Sequence, residues 1–372
     1  MKETGSLGAW AGSRGQVLAS EKGQVAKELS RAPKMVRVAV DAMGGDYAPT
    51  EIVKGAIQAA MNSGVEIFLT GPRIELEAEL AKYDIRGLPV HLVEATDVIK
   101  DSEHPILAVM RKPNNSVSVA AKLVKNGKAD AMMSAGSTGA LIVSAYQHLG
   151  TLPGVDRPII GGPFLQLAPN TFVLDMGANV GCQAEHLLRF AIIGSVFVKK
   201  FLGIAEPTIG LLNVGKEEGK GNEVVKEAYS LLKGSGLNFI GNVEGMDIPL
   251  AKANVIVCDG FVGNIMLKFS EGLGKSMSQW LTQELANKLS PEEVNRITTD
   301  LIRLVSPAEA TGGGPIWGIN GVAIIGHGSS RADQIAAAID QAKLAVESDF
   351  VSAVWAELEK AQKMASANNN NT

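Results

Sequence analysis

Asp41, Asp175 and Asp259 each close a short apolar run and each stand before glycine. The stretches are Asp41-Ala-Met-Gly44-Gly45-Asp46, Asp175-Met-Gly-Ala-Asn179 and Asp259-Gly260-Phe-Val-Gly263-Asn264. Other small polar groups hold matching positions: Ser137-Thr138-Gly139 after Ala129–Met133, Asn242 and Glu244 after Leu237–Ile240, and His327-Gly328-Ser329 after Gly321–Ile325. Lys220 and Asn222 end a loop that carries Gly215, Gly219 and Gly221. Amides, hydroxyls, an ammonium and an imidazole are the groups needed to seat an anion, strip it of water and move a proton. Glycines let backbone N–H groups approach such an anion closely. Each motif also has an ordinary reading: Ser137 as a helix N-cap, the 213–221 loop as exposed charge, Asp41 as a solvated turn. One acidic strand end is commonplace; several in one chain are not.

The elements that position these residues follow a repeated pattern. Val36–Val40 reads as a buried strand, and Pro49-Thr50 opens a helix with Ile52, Val53, Ala56, Ile57 and Ala60 on one face. Strands are predicted again at 65–69, 89–93, 129–133, 171–175, 208–212, 237–240, 254–258 and 321–325, most followed by a helix. That alternation predicts an open, mostly parallel α/β sheet with helices on both faces. Its strands would gather their carboxyl ends on one edge, where such folds bind ligands. A helix from about Ile265 to Leu289 carries Met266, Phe269, Leu273, Met277 and Trp280 at helical spacing, which predicts a buried stripe. Ser290-Pro291-Glu292-Glu293 restarts a second helix, so an inserted helical hairpin spans about 265–305. A homodimer surface is its first reading and a membrane-leaning tip its second. Thr311–Pro315 reads as the most flexible core segment, and one helix runs from Arg331 most of the way to the C-terminus.

Bulk properties narrow the class. With 372 residues and 46% hydrophobic content the chain can bury a large core. A net charge of -4 without a basic block gives no reason to expect nucleic acid as a partner. The two cysteines, Cys182 and Cys258, form no CxxC pair, which suits a reducing compartment and supplies no zinc site. Residues 1–34 are expected to be a disordered extension, 35–365 the folded α/β domain and 366–372 a frayed tail. Gly274-Lys275-Ser276 is preceded by Phe269 where a phosphate-binding loop needs glycine, no GxGxxG opens a helix, and no GxSxG elbow occurs. A nicotinamide dinucleotide is therefore not indicated, and no cofactor is expected. Whether the aspartates orient lysines and amides or hold a divalent ion stays open.

In order along the chain, Asp41–Asp46, Gly136–Gly139, Asp175–Asn179, Lys220–Asn222, Gly241–Gly245, Asp259–Asn264, Gly318–Gly321 and Gly326–Ser330 resemble the bacterial phosphate acyltransferase (PlsX) family of phospholipid synthesis. The chain departs from the family pattern at Lys216, Gly314 and Ile316-Trp317. The resemblance implies a fold similar to isopropylmalate dehydrogenase and phosphotransacetylase. It also implies conversion of acyl-acyl carrier protein and inorganic phosphate to acyl phosphate and free carrier protein. A homodimer, a peripheral contact with the inner membrane face of the cytoplasm and a glycerol-3-phosphate acyltransferase partner belong to the same expectation. For that reaction Lys220, His327 and Asn264 are the candidate catalytic residues. Asp41, Gly44, Gly45, Asp46, Ser137, Thr138, Gly139, Asp175, Asn179, Asn222, Asn242, Glu244, Asp259, Gly260, Gly263, Lys268, Gly328 and Ser329 are the candidate phosphate and substrate contacts. Three rival readings are an enzyme acting on acyl-coenzyme A, a non-catalytic membrane scaffold, and a metal-dependent decarboxylating dehydrogenase.

Overall fold

The computed structural model describes residues 35–100, 102–305 and 312–369, with 364–369 as backbone only. The expected extension 1–34 and the end of the tail, 370–372, lie outside the described residues. Eleven strands form one sheet: β1 (Arg37–Asp41), β2 (Glu66–Gly71), β3 (Val90–Glu94), β4 (Ala131–Ser134), β5 (Ile159–Pro163), β6 (Phe172–Leu174), β7 (Ile209–Leu212), β8 (Phe239–Val243), β9 (Val255–Val257), β10 (Gly313–Trp317) and β11 (Val322–Gly326). The helices are α1 (Thr50–Ser63), α2 (Arg73–Leu80), α3 (Pro105–Arg111), α4 (Ser116–Lys125), α5 (Thr138–Leu149), α6 (Ala184–Leu202), α7 (Glu223–Lys233), α8 (Gly260–Leu285), α9 (Pro291–Val305), α10 (Ala332–Glu347) and α11 (Phe350–Asn369).

The strand order is β3-β2-β1-β4-β11-β10-β5-β6-β9-β7-β8. From β3 to β11 every neighbour is parallel, and from β6 to β8 every neighbour is parallel. Between them stand three antiparallel pairings, β11/β10, β10/β5 and β5/β6. The two parallel blocks therefore run in opposite senses. This corrects the expectation of one edge gathering all the strand tips. The two joining strands escape sequence reading because Ile-Ile-Gly-Gly-Pro and Gly-Gly-Pro-Ile-Trp carry the residues that usually end strands. For the same reason Gly313–Pro315, expected to be flexible, is extended strand.

The joint between the blocks forks. β5 and β10 pair only at Ile316↔Ile160 and Trp317↔Ile159. Pro315 brings no N–H to continue the ladder, and the Gly161 carbonyl accepts instead from Trp317 Nε1 at 2.9 Å. Beyond that point Gly161–Pro163 pairs with β6 and Gly313–Pro315 with β11.

Each block is anchored by helices with an apolar face. In α10 the buried residues Ala332, Ile335, Ala338, Ile339, Ala342 and Ala345 fall at helical spacing and pack with α1 on Val38, Ile67 and Ile324. In the second block α6 lays Phe190, Ile193 and Phe197 on Leu174 and Val255. The single C-terminal helix expected from Arg331 is two helices, broken at Asp349, whose φ of 50° lies in the left-handed region. The helical hairpin starts earlier than expected, at Gly260, because the Asp259 carboxylate caps α8 by accepting from Phe261 N–H at 2.8 Å. Its restart is as read: Ser290 and Glu293 exchange reciprocal capping bonds. Its apolar stripe is not buried in the single chain. Phe269 is 68% and Trp280 57% exposed, and the residues α8 buries are Gly260, Gly263 and Gly274. Spacing reveals that a helix has an apolar face but not whether its own chain covers it.

Candidate active site

The three aspartates that close strands face inward. Asp41 accepts from Ser134 Oγ at 2.6 Å and from Met43 N–H at 3.2 Å. Asp175 accepts from the N–H groups of Gly177, Ala178 and Asn179 and from Asn179 Nδ2, all at 2.7–3.0 Å. Asp259 splits its two oxygens between Phe261 N–H and Cys182 N–H, the latter at 2.7 Å. Each carboxylate thus holds its own turn, and Asp41 and Asp259 also tie in a distant segment, at Ser134 and at Cys182. Burial pushes Asp41 and Asp175 above the ordinary carboxylate value, and their hydrogen bonds offset part of that rise. These carboxylates therefore have their hydrogen bonds filled by backbone and side-chain donors of the loops.

The tips of the first block brace one another. A methyl group on Gly44 would stand 2.6 Å from the Gly136 nitrogen and 2.7 Å from the Asp41 carboxylate. Gly45 holds φ at +113°, and the next residue, Asp46, donates its N–H to the Gly328 carbonyl at 2.8 Å. The loops after β1, β4 and β11 are therefore one interlocked unit. The second block uses the same device. Gly260 and Gly263 lie against the backbone of Asn179 and Asp175, where any side chain would collide. Gly139 serves packing too, because a Cβ there would strike Pro105 at the start of α3.

Between the two sets of tips lies a cavity of about 440 Å³. Thr138, Gly136, His327 and Gly328 line it from the first block; Gly177, Asn264, Lys268 and Glu271 from the second; Gly161, Gly162, Gly313 and Gly314 from the joint. Ser137 precedes α5 without capping it through its side chain, so the first-turn N–H groups of α5 have no intrahelical partner. They point a positive helix end toward the Thr138 wall. His327 is exposed, with Nδ1 2.8 Å from Ser329 Oγ and 3.4 Å from Ser329 N–H. Lys268 pairs with Glu271 at 2.9 Å across one helical turn. Of the expected residues, Thr138, Asn264, Lys268, His327 and Gly328 meet here.

Others stand apart from this lining. Asn179 is buried and gives its amide to Pro158 O and Asp175. Asn222 caps α7 by accepting from Val225 N–H. Asn242 lies within β8 rather than in the loop expected to follow the strand, and donates to Glu217 O. Glu244 lies 3.7 Å from Lys216, which also reaches Asp247 at 3.3 Å. Lys220 is exposed on the 213–222 loop at the carboxyl end of β7, outside the cavity lining. Its carbonyl accepts from Asn213 Nδ2, and its ammonium has no ion pair among the described residues. Sequence reasoning missed Ser134, Gly177, Glu271 and the β5 glycines. Glu271 was readable from its spacing to Lys268; Ser134 carried no signal apart from its place at the end of β4.

Neither cysteine is poised as a nucleophile. Burial and the neighbouring Asp259 push the Cys182 thiol up to about 12, and burial with Asp175 pushes Cys258 higher still. Among the described residues no cluster of three or more His, Cys, Asp and Glu gathers at metal-binding spacing, and no helix is long and apolar enough to cross a membrane.

A family model described as "Fatty acid synthesis protein" matches residues 36–353. A phosphate acyltransferase of Desulforamulus reducens is 44% identical over 328 residues, covering 87% of this chain and 98% of that relative. One of Clostridium acetobutylicum is 42% identical over 335 residues, covering 87% and 99%. Among solved structures, a phosphotransacetylase from Streptococcus pyogenes superposes with a TM-score of 0.54 at 19% identity, covering 91% of this chain and 99% of that one. A branched-chain phosphotransacylase from Enterococcus faecalis gives 0.52 at 14% identity, covering 84% and 99%. These two show a shared fold. On the match to the family model and to its curated relatives, the chain belongs to the phosphate acyltransferase family and is an acyltransferase.

Proposed function

We propose that the chain moves an acyl group from the thioester of an acyl carrier protein to inorganic phosphate, giving acyl phosphate and the free carrier thiol. The observation that carries this reading is the cavity itself, where a helix N-terminus, Thr138, Asn264 and His327 converge from two blocks of opposite sense. Phosphate is already an oxygen nucleophile, so no enzyme-bound acyl group is needed. A phosphate oxygen attacks the thioester carbonyl carbon; the C–O bond forms, the C–S bond breaks, and the electron pair leaves with sulfur. The α5 N-terminus and the Thr138 hydroxyl seat the dianion. Asn264 donates to oxygen as charge develops there. The ring nitrogen Nδ1 of His327 faces the Ser329 N–H, which leaves Nε2 to carry the proton offered to the departing thiolate. Lys220, an ammonium without an ion pair among the described residues on the exposed 213–222 loop, supplies the cation for the arriving substrate, with Lys268 as the cation already inside.

Membership of a family named for fatty acid synthesis favours a carrier protein over coenzyme A as the acyl donor. The exposed stripe on α8 supports a second copy as its cover, with contact at the inner membrane face as a further use and a glycerol-3-phosphate acyltransferase as the consumer of the acyl phosphate. The test is to supply purified protein with phosphate and either thioester and to trap acyl phosphate with hydroxylamine. Faster trapping from the carrier protein ester is expected; preference for the coenzyme A ester would overturn the donor assignment.

A further inference from the structure

A second cavity of about 400 Å³ lies beneath the joint of the sheet, within the range of roughly 300–1,000 Å³ typical of ligand sites. Its walls are Phe172, Phe197, Phe201, Trp317 and Phe350, with the half-exposed Leu344 of α10 at its edge. The rings hold one another in place. Phe197 meets Trp317 edge-on with centroids 4.5 Å apart, and Trp317 meets Phe350 at 5.0 Å. No charged side chain lines it except Asp340, which is exposed on α10. This chamber shares Gly162, Pro163 and Gly314 with the cavity at the strand tips. Those three residues flank the fork where β5 and β10 stop pairing. Gly162 faces open space: a Cβ there would meet nothing within 4 Å. The backbone geometry at Gly162 and Gly314 does not require glycine, since neither holds a left-handed φ. What both positions share is that no side chain obstructs the boundary between the two cavities.

We propose that the chamber receives the hydrocarbon chain of the acyl thioester, threaded through the fork from the tip cavity where its carbonyl meets phosphate. The inference rests on the proposed reaction. It assigns to two adjoining cavities the two halves of a substrate that differ in chemistry. The carbonyl and phosphate need the polar groups of Thr138, Asn264, Lys268 and His327, which line the tip cavity. Ile160, Met176, Leu267 and Ile325 also line the tip cavity, but an unbranched alkyl chain meets more continuous apolar surface, and gains more from leaving water, in the aromatic chamber next to it. A free apolar molecule or a second copy of this chain would find the same walls, but neither accounts for the shared boundary with the reacting centre.

Carrier protein thioesters from C4 to C18 test the assignment by steady-state acyl phosphate formation. In the wild-type chain kcat/KM should rise by about fourfold per added CH2 until the chamber is filled. Ala337→Trp, on the α10 wall, should lower the ratio of C16 to C6 kcat/KM by about tenfold or more. A ratio unchanged by Ala337→Trp would overturn the proposal, and a change in sedimentation without a change in the ratio would assign the chamber to a second copy instead. Should that variant fail to fold, the wild-type protein can be labelled with a palmitoyl carrier-protein thioester bearing a terminal diazirine. Crosslinks to peptides containing Phe197, Phe201 or Phe350 support the chamber; crosslinks to α8 around Phe269 or Trp280 contradict it. If no thioester of any length yields acyl phosphate, the proposed reaction itself fails, which is separable from turnover that persists with an unaltered length preference.

Discussion

The strand tips of the two blocks are built differently. In the first block three loops lock together through Gly44 against Gly136, Ser134 on Asp41 and Asp46 on Gly328. In the second, the inner loops are just as tightly packed, with Asp175 wrapped by its own turn and α8 pressed on it at Gly263. The outer loop of the second block is not: 214 and 216–220 are exposed, and Lys220 has no anionic partner among the described residues. The contrast separates a rigid seat from an exposed rim. Rigid donors cost no reorganisation during reaction, whereas a free ammonium on a flexible stem can follow an incoming charge.

Breaking the rigid side should have the largest effect. Gly44→Val places a branched side chain against Gly136 and Asp41 and should cost about 1–3 kcal/mol of stability as an overpacked contact. Turnover should fall by roughly 100-fold or more, since a misplacement of about 1 Å has that scale of effect. Thermal melts and initial rates check both; a variant that melts lower but turns over normally would show that the interlock is structural only.

The exposed side is tested by comparing two lysines. Lys220→Ala should lower kcat/KM by about 100-fold, the scale of one electrostatic donor. Lys268→Ala should lower it by less, about tenfold, because Glu271 already offsets much of that charge. The reverse order would move the catalytic cation from the rim to α8.

A smaller effect sharpens the view of the aspartates as braces. Burial raises Asp41 and Asp175 above 3.8, so between 3.8 and the raised values the folded chain holds more protons than the unfolded one. Their contribution to stability is fully present below 3.8 and is lost as pH rises through the folded values. Asp41→Asn removes one such group, so the fall in its melting temperature with rising pH should be shallower than in the wild-type chain. Scanning calorimetry from pH 4 to 7 reads the difference; parallel curves would mean that Asp41 ionises as freely folded as unfolded.

The smallest effect concerns the thiols. With Cys182 held up to about 12, iodoacetamide at pH 8 should leave native activity unchanged while labelling the unfolded chain. Inactivation that follows labelling of Cys182 would reopen a covalent route.

Most of this arrangement was legible in the residues. Val36–Asp41 and Val255–Cys258 announce buried strands by composition, and the acidic ends announce the turns that follow. What the aspartates do was not legible, because a carboxylate before glycines reads the same whether it faces a ligand or its own backbone. The joint was also hidden. Pro163, Pro315 and four glycines are poor strand formers, and only tertiary pairing makes Ile159–Pro163 and Gly313–Trp317 extended. The opposition of the two blocks followed from those unseen strands. Lys220, the lysine that its glycine-rich loop singles out, lies outside the cavity lining, whereas Lys268 is part of it. Helical spacing marks the Phe269–Trp280 face as apolar but does not name what covers it.

The central claim is that phosphate sits between the two blocks, and a crystal structure of the chain grown with inorganic phosphate tests it most directly. The account predicts phosphate at the α5 N-terminus, within hydrogen-bonding reach of Thr138 and facing Asn264 and His327. Phosphate bound instead among Lys216, Lys220 and Asn242, with the cavity between the blocks left without it, would contradict that claim.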